Sequence, residues 1–329
     1  MPEFKVVITD FTAPGNDIEA SVLRESGLDI ELVRLNTRDP DELIAHTADA
    51  DALIVQFSPI TRPVIERLRK CRVISRYGIG VDMVDISAAT DHGIIVCNVP
   101  DFCIEEVSTH TIGFLLNLNC RIHIQDRHVR SGAWNNPPGG APVRLPGQAL
   151  GIIGLGKIGQ AVARKAGCLG LRLAAYDPYI PKEAADSLGI ELMTIEALLR
   201  TSDYVTIHCP LTEETRHLVG APQLALMKPS AFLINMARGP VVDQNALYQA
   251  LVSGTIAGAA VDVLDPEPPV AGEPLVQLPN IIVTPHTSSL SEDSAIQLRR
   301  DVAVNVVTVL RGGVPASTLN ARALNLASK

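Results

Sequence analysis

Two patterns of apolar residues alternate along this chain. Short apolar runs with no polar alternation read as strands buried on both faces, and longer stretches with apolar positions three and four apart read as helices turning one face inward. From the N-terminus the pattern predicts strands over 6–9, 30–35, 53–56, 73–75 and 94–97, separated by helices over 18–26, 41–48, 62–69 and 85–92. Such β-α repetition implies an open, largely parallel sheet wrapped by helices on both faces.

Asn98-Val99-Pro100 interrupts the rhythm, and 104–130 then runs with helical periodicity and few breakers, Gly113 excepted. A helix of that length could bridge two domains. The segment 131–145, with Trp134, Pro137, Pro138, Gly139 and Gly140, is a breaker-rich connection into a second β-α series. That series predicts strands over 149–153, 171–176, 204–208, 232–236, 258–263 and 281–284, and helices over 194–201, 221–227 and 244–253. A last helix over 292–311 would return to the first domain, so that two domains are built from three segments. The chain's 329 residues agree with two domains, since one core rarely keeps growing beyond about 250–300 residues.

Directly after the apolar run 149–153 stands Gly154-Leu155-Gly156-Lys157-Ile158-Gly159, a G-x-G-x-x-G pattern opening a helix. In that context Gly154 allows the tight turn, Gly156 lets the backbone approach a pyrophosphate, and Gly159 lets the helix pack closely on its strand. The next apolar run ends in Asp177, at about the 20-residue spacing of the acid that hydrogen-bonds an adenosine ribose. A carboxylate there accepts from both hydroxyls and repels the 2′-phosphate of NADP. With no Arg or Lys before Lys182, NAD is the expected cofactor.

The bulk numbers narrow the partners. Hydrophobic residues make up 47% and charged ones 19%, the composition of a globular protein with ample core. A net charge of -8 with scattered cations argues against nucleic acid and against an anionic membrane. The six cysteines show no C-x-x-C spacing and most sit in apolar runs, which fits a reducing cytoplasm. No basic segment followed by an apolar one opens the chain, and no uncharged run reaches the length of a membrane span, so neither export nor insertion is expected. His110, His123 and His128 share the helical stretch 104–130 without the i, i+4 spacing of a helical metal site, and no metal is expected.

Three charged residues follow predicted strands of the second series, where a nicotinamide in the sheet crevice would meet its substrate: Arg238, Glu267 and His286. Each alone has a plain structural reading as an ion-pair partner, a solvated carboxylate or a structural imidazole. Together they have a chemical meaning, because reduction of a 2-oxo acid needs a cation for the carboxylate and carbonyl oxygen, a proton donor, and a group that tunes the donor. In the first series, Arg76-Tyr77-Gly78-Ile79-Gly80-Val81-Asp82 forms a glycine loop at a strand's carboxyl end. Taken alone, its glycines satisfy no more than a turn.

At these residues the chain resembles the D-isomer-specific 2-hydroxyacid dehydrogenases. The resemblance runs over nearly the whole length and is carried by the glycine motif with Asp177, by Asn235-Met236-Ala237-Arg238-Gly239, by Asp262-Val263 with Asp265-Pro266-Glu267-Pro268, and by Thr284-Pro285-His286. It implies a flavodoxin-like substrate domain over 1–98 plus 290–329 and a Rossmann NAD-binding domain over 99–289, closing on each other by a hinge near Asn98 and Leu290. It further implies that Arg238 anchors substrate, that His286 is the acid/base, and that Glu267 pairs with His286, a carboxylate beside an imidazole favouring the protonated ring. Gly78 and Ile79 match the loop that receives the substrate carboxylate, which replaces the plain-turn reading of that loop. Asp262 matches the residue that meets the nicotinamide carboxamide. Ile79, Lys157, Ile158, Cys209, Met236 and Ala237 match other positions that contact the dinucleotide.

The resemblance implies a homodimer formed through the cofactor domain. The chain ends at Lys329 without the regulatory extension that some phosphoglycerate dehydrogenases of this family carry, so serine feedback through such a domain is not expected. Arg76 beside the carboxylate loop would favour an acidic or phosphorylated substrate, or else is a solvated turn residue. The leading expectation is an NAD-dependent enzyme acting on a small D-2-hydroxy acid or 2-oxo acid. The alternative is an NAD-sensing dimeric interaction protein of the corepressor type.

Overall fold

The computed structural model describes residues 2–11, 17–135 and 141–326. The chain divides into two compact units, one formed by Met1–Phe102 with Ser291–Lys329 and the other by Cys103–Leu290. The expected fold class holds: each unit is a parallel sheet with helices.

In the first unit the strands are β1 (Phe4–Ile8), β2 (Ile30–Arg34), β3 (Ala52–Val55), β4 (Val73–Arg76) and β5 (Ile95–Cys97), in the order β2-β1-β3-β4-β5. This is the flavodoxin-like doubly wound order. The central strands β3 and β4 are buried along their whole length; β3 reads as an unbroken apolar run, whereas β4 ends in the buried polar residues Ser75 and Arg76. Helix starts are set locally. Asp39 accepts from the amides of Asp41 and Glu42 ahead of Pro40, and Asp85 accepts from Ala88. The helix expected over 62–69 is shorter, Arg62–Ile65, and continues as turns in which Arg67 and Leu68 donate three residues back.

The C-terminal helix, Glu292–Leu310, belongs to this first unit through polar contacts that no periodicity reveals. Arg299 makes a two-pronged pair with the fully buried Glu19, Nε to Oε1 at 2.9 Å and Nη2 to Oε2 at 2.8 Å, and Tyr77 donates its hydroxyl to the same carboxylate at 2.9 Å. Asn305 donates to the Asn98 carbonyl at 3.1 Å. A buried charge is tolerable only when so paired.

The second unit carries β6 (Ala149–Ile153), β7 (Arg172–Tyr176), β8 (Glu191–Leu192), β9 (Tyr204–Ile207), β10 (Phe232–Asn235), β11 (Gly258–Val261) and β12 (Ile281–Val283), in the order β12-β11-β10-β9-β6-β7-β8. The order reverses between β6 and β9, the switch point at which open α/β sheets bind ligands. The two-residue edge strand β8 and the short helix Lys182–Asp186 before it carry too little apolar pattern to be read from the sequence.

The stretch 104–130 is not one helix. It divides into Ile104–Cys120 and Ile122–Arg130 at Arg121, whose φ of 57° is left-handed. The Asn117 side chain takes the His123 amide at 2.9 Å, satisfying a donor that the new helix would otherwise leave unpaired. In the connection that follows, residues 136–140, with Pro137, Pro138, Gly139 and Gly140, lie outside the described residues.

Candidate active site

The carboxyl edge of the seven-stranded sheet carries two groups of candidate residues, one on each side of the switch point. On the β6–β7 side the binding surface is mainly backbone. Gly154 has φ +90°, and a Cβ there would lie 2.6 Å from the Cys209 nitrogen. A Cβ on Gly159 would lie 2.2 Å from the Gly154 carbonyl oxygen, so the helix Lys157–Cys168 can approach its strand only through glycine. Gly156 differs: a Cβ there meets nothing within 4 Å. It stands at the N-cap of the helix with no side chain of its own, which leaves room for a ligand to approach the positive end of the helix. Lys157 and Ile158 form the first turn behind it.

Asp177, just past β7, reaches this loop. Its Oδ2 accepts from the Leu155 amide at 2.7 Å, and its Oδ1 accepts from Tyr179 and Ile180 at 2.9 and 3.2 Å. The carboxylate is thereby fixed beside the glycine turn with acceptor capacity left for hydroxyl donors. These features fit a dinucleotide: an open helix N-terminus for phosphate and an adjacent acid for ribose. Cys209 follows β9 at the switch point, and burial pushes its thiol up to about 11, which keeps it protonated.

On the β10–β12 side the surface is built from side chains. Asn235, buried at the end of β10, accepts from the Ala237 amide at 3.1 Å and donates to the Arg238 carbonyl at 3.0 Å, folding the turn that presents Arg238. Met236 and Ala237 are buried within that turn. Gly239 then passes so close to the loop after β11 that a Cβ would lie 2.0 Å from the Leu264 carbonyl oxygen. That close approach brings the Arg238 turn against the segment leading to Glu267.

Glu267 uses both oxygens. Oε1 accepts from the Leu264 amide at 2.9 Å, and Oε2 lies 2.7 Å from Nδ1 of His286. Both side chains are about one-third exposed, 33% for Glu267 and 30% for His286, so the pair is ordered yet reachable. With Nδ1 bonded to a carboxylate, the opposite ring nitrogen, Nε2, is the one placed to exchange a proton with a ligand. His286 itself has φ +54°, unusual for a residue with a side chain. Its amide donates to the Asp262 carbonyl at 2.8 Å, and the buried Asp262 carboxylate accepts from the Thr287 and Ser288 amides at 2.9 and 3.0 Å.

Gly78 and Ile79 lie in the first unit, after β4. Gly78 has φ +130°, and a Cβ there would fall 1.6 Å from Nη1 of Arg76. Arg76 is therefore no solvated turn residue: it is buried, with its guanidinium folded over Gly78. Asn98 donates to the Ile79 carbonyl at 2.8 Å and holds the loop.

Asn235, Gly239 and Thr284 contribute to the candidate site, Thr284 through a hydrogen bond to Asp262, although the sequence assigns them no role of their own. They stand inside the family motifs, but their roles are contacts between or within loops that the chain order does not disclose.

A doubly wound sheet with an open glycine-helix N-terminus, a ribose-type acid and a Glu-His pair at one edge defines a dinucleotide-dependent oxidoreductase. Residues 112–288, just over half the chain, match the model of the D-isomer specific 2-hydroxyacid dehydrogenase NAD binding domain. The chain is 40% identical over 318 residues to D-3-phosphoglycerate dehydrogenase of Methanocaldococcus jannaschii, covering 96% of this chain and 59% of that protein. It thus spans less than two thirds of the length of that relative. It is 39% identical over 282 residues to glyoxylate reductase of Korarchaeum cryptofilum, covering 84% of this chain and 85% of that one. The solved D-lactate dehydrogenase of Aquifex aeolicus, complexed with NAD and lactic acid, superposes with a TM-score of 0.84 at 25% identity, over 93% of this chain and 96% of that chain. The chain belongs to the D-isomer-specific 2-hydroxyacid dehydrogenase family, an NAD-dependent oxidoreductase family. No helix among the described residues is long and apolar enough to cross a membrane.

Proposed function

We propose that this protein interconverts a small D-2-hydroxy acid and the matching 2-oxo acid, with His286 as acid/base, Arg238 binding the substrate carboxylate and Glu267 holding His286. NAD, when bound, supplies or accepts the hydride at C2. His286 gives its Nε2 proton to the carbonyl oxygen in reduction and takes the hydroxyl proton in oxidation. Asp262 meets the nicotinamide carboxamide, Asp177 holds the adenosine ribose, and the glycine loop with Lys157 and Ile158 holds the pyrophosphate. Cys209, Met236 and Ala237 line the same edge. Gly78 and Ile79 are assigned to the substrate carboxylate on their own unit.

The observation that carries this reading is the 2.7 Å Glu267–His286 pair on the sheet edge that also carries the glycine loop. The test is NADH oxidation against glyoxylate, hydroxypyruvate, pyruvate, 2-oxoglutarate, an aromatic 2-oxo acid and 3-phosphohydroxypyruvate, repeated with NADPH. Turnover with at least one acid and preference for NADH is expected; silence across the panel overturns the reading. No observation favours the interaction-protein alternative, since the matched relatives are named as dehydrogenases and reductases.

A homodimer formed through the second unit and a cytoplasmic location complete the proposal. The helix Ile122–Arg130 buries none of its residues, and Ile122 and Val129, seven residues apart on it, are 55% and 48% exposed, which supports contact with a second copy. Sedimentation equilibrium at twice the chain mass is the expected result. All six cysteines are free, in keeping with a reducing compartment.

A further inference from the structure

We propose that Thr284 is a positioning residue for His286, acting through the carboxylate of Asp262; the inference rests on the acid/base reading of His286. Thr284 follows β12 immediately and lies two residues before the imidazole. Its hydroxyl donates to Asp262 Oδ1 at 2.5 Å, beside two other bonds on this carboxylate. The other two come from the amides of Thr287 and Ser288, just after His286. The carboxylate thus ties the two ends of the His286 loop together, while the Asp262 carbonyl takes the His286 amide between them.

The direction of these bonds follows from the donors present. An ionised carboxylate can only accept, and a threonine hydroxyl has one proton, which goes to Asp262. The remaining lone pairs of Oγ1 face Nε2 of His110, 3.4 Å away on the helix Ile104–Cys120, which then serves as the donor. His110, Thr284 and Asp262 form a hydrogen-bonded chain that ends on the carboxylate.

The loop needs that fixing because His286 stands at φ +54°, a conformation that costs a non-glycine residue free energy and persists only where the surroundings over-determine it. In this conformation Nδ1 meets Glu267. Without the Thr284 hydroxyl, the carboxylate of Asp262 loses its donor on the strand side and can rotate. The Thr287 and Ser288 amides then lose their fixed acceptor, and the ring leaves its bond to Glu267.

Thr284→Val keeps the shape and removes the donor; Thr284→Ser keeps the donor. Steady-state kinetics should show kcat for 2-oxo acid reduction falling about tenfold or more in Thr284→Val, with a smaller loss of NADH affinity, measured by fluorescence, because Asp262 also faces the nicotinamide carboxamide. Thr284→Ser should restore kcat to within about threefold. Equal kcat in Thr284→Val and wild type overturns the proposal, as does a loss that serine does not rescue. Crystal structures of both variants decide the matter without turnover: the His286 loop should shift and the Glu267 bond break in Thr284→Val alone. An unmoved loop overturns the positioning role. A wild-type enzyme inactive on every 2-oxo acid overturns the functional reading instead.

Discussion

Binding and chemistry, as proposed, are divided between two sides of the switch point that are built by different means. On the β6–β7 side, glycines and backbone amides form the surface, and Asp177 is held by an amide of the very turn it serves. On the β10–β12 side, the reactive side chains are carried on three separate loops, shaped by Asn235, Glu267 and Asp262 through hydrogen bonds along the sheet edge. A backbone surface tolerates no added atoms, whereas a side-chain surface tolerates no lost donor or acceptor. Substitutions on the first side should therefore change cofactor affinity, and those on the second should change turnover.

The largest expected effect is on the side-chain surface. His286→Ala removes the proposed proton-transfer group and should lower kcat by roughly 10² to 10⁴, the usual contribution of general acid/base catalysis, with NADH affinity retained. Stopped-flow binding and steady-state turnover on the same preparation measure the two quantities. If binding falls as far as turnover, the two sides are not separable and the comparison fails.

Gly156→Val is the complementary change. A Cβ at this position meets no protein atom within 4 Å, so the fold and thermal midpoint should be kept, while the space a pyrophosphate needs is taken. NADH affinity should weaken by roughly tenfold or more, equivalent to about 1.4 kcal/mol. Gly159→Ala makes the contrast within the same motif: its Cβ would strike the Gly154 carbonyl oxygen at 2.2 Å, and the loss should appear in stability. Calorimetry with and without NADH separates the two results.

The same contrast governs what the sequence discloses. Glycine spacing, the apolar run before it and the acid after the next strand are local in the chain, so the β6–β7 side is legible residue by residue. Arg238, Glu267 and His286 are legible as strand-end charges, but that Glu267 meets His286 is disclosed only by the family resemblance and the structure. Gly239, Asp262 and Thr284 act between strands, and no period along the chain marks which buried carboxylate will meet which amide. The break at Arg121 was hidden for a related reason: helical periodicity continues across it, and the turn is stabilised by Asn117 rather than marked by a glycine.

The smallest expected effect concerns the border between the two sides. His208 follows β9, between β6 and β10, with Nε2 2.9 Å from the Thr206 hydroxyl and no hydrogen-bond partner for Nδ1 among the described residues. Burial lowers its pKa to about 3, because the charged ring would lose its hydration with no acceptor at Nδ1 to replace it. A folded-state pKa below the unfolded value means the unfolded chain binds the proton more tightly. The stabilising contribution is therefore complete above about pH 6.5 and is lost as pH falls from there toward about 3. Between pH 7 and pH 5.5 this single group should cost about 1 kcal/mol of stability at most, since the residue as a whole is only half-buried. His208→Gln cannot take up that proton, so the gap between its urea midpoints at the two pH values should be smaller than in wild type. Equal gaps would mean that His208 carries its charge in the folded state, with water reaching Nδ1, and that the border between binding and chemistry is wetter than its packing implies.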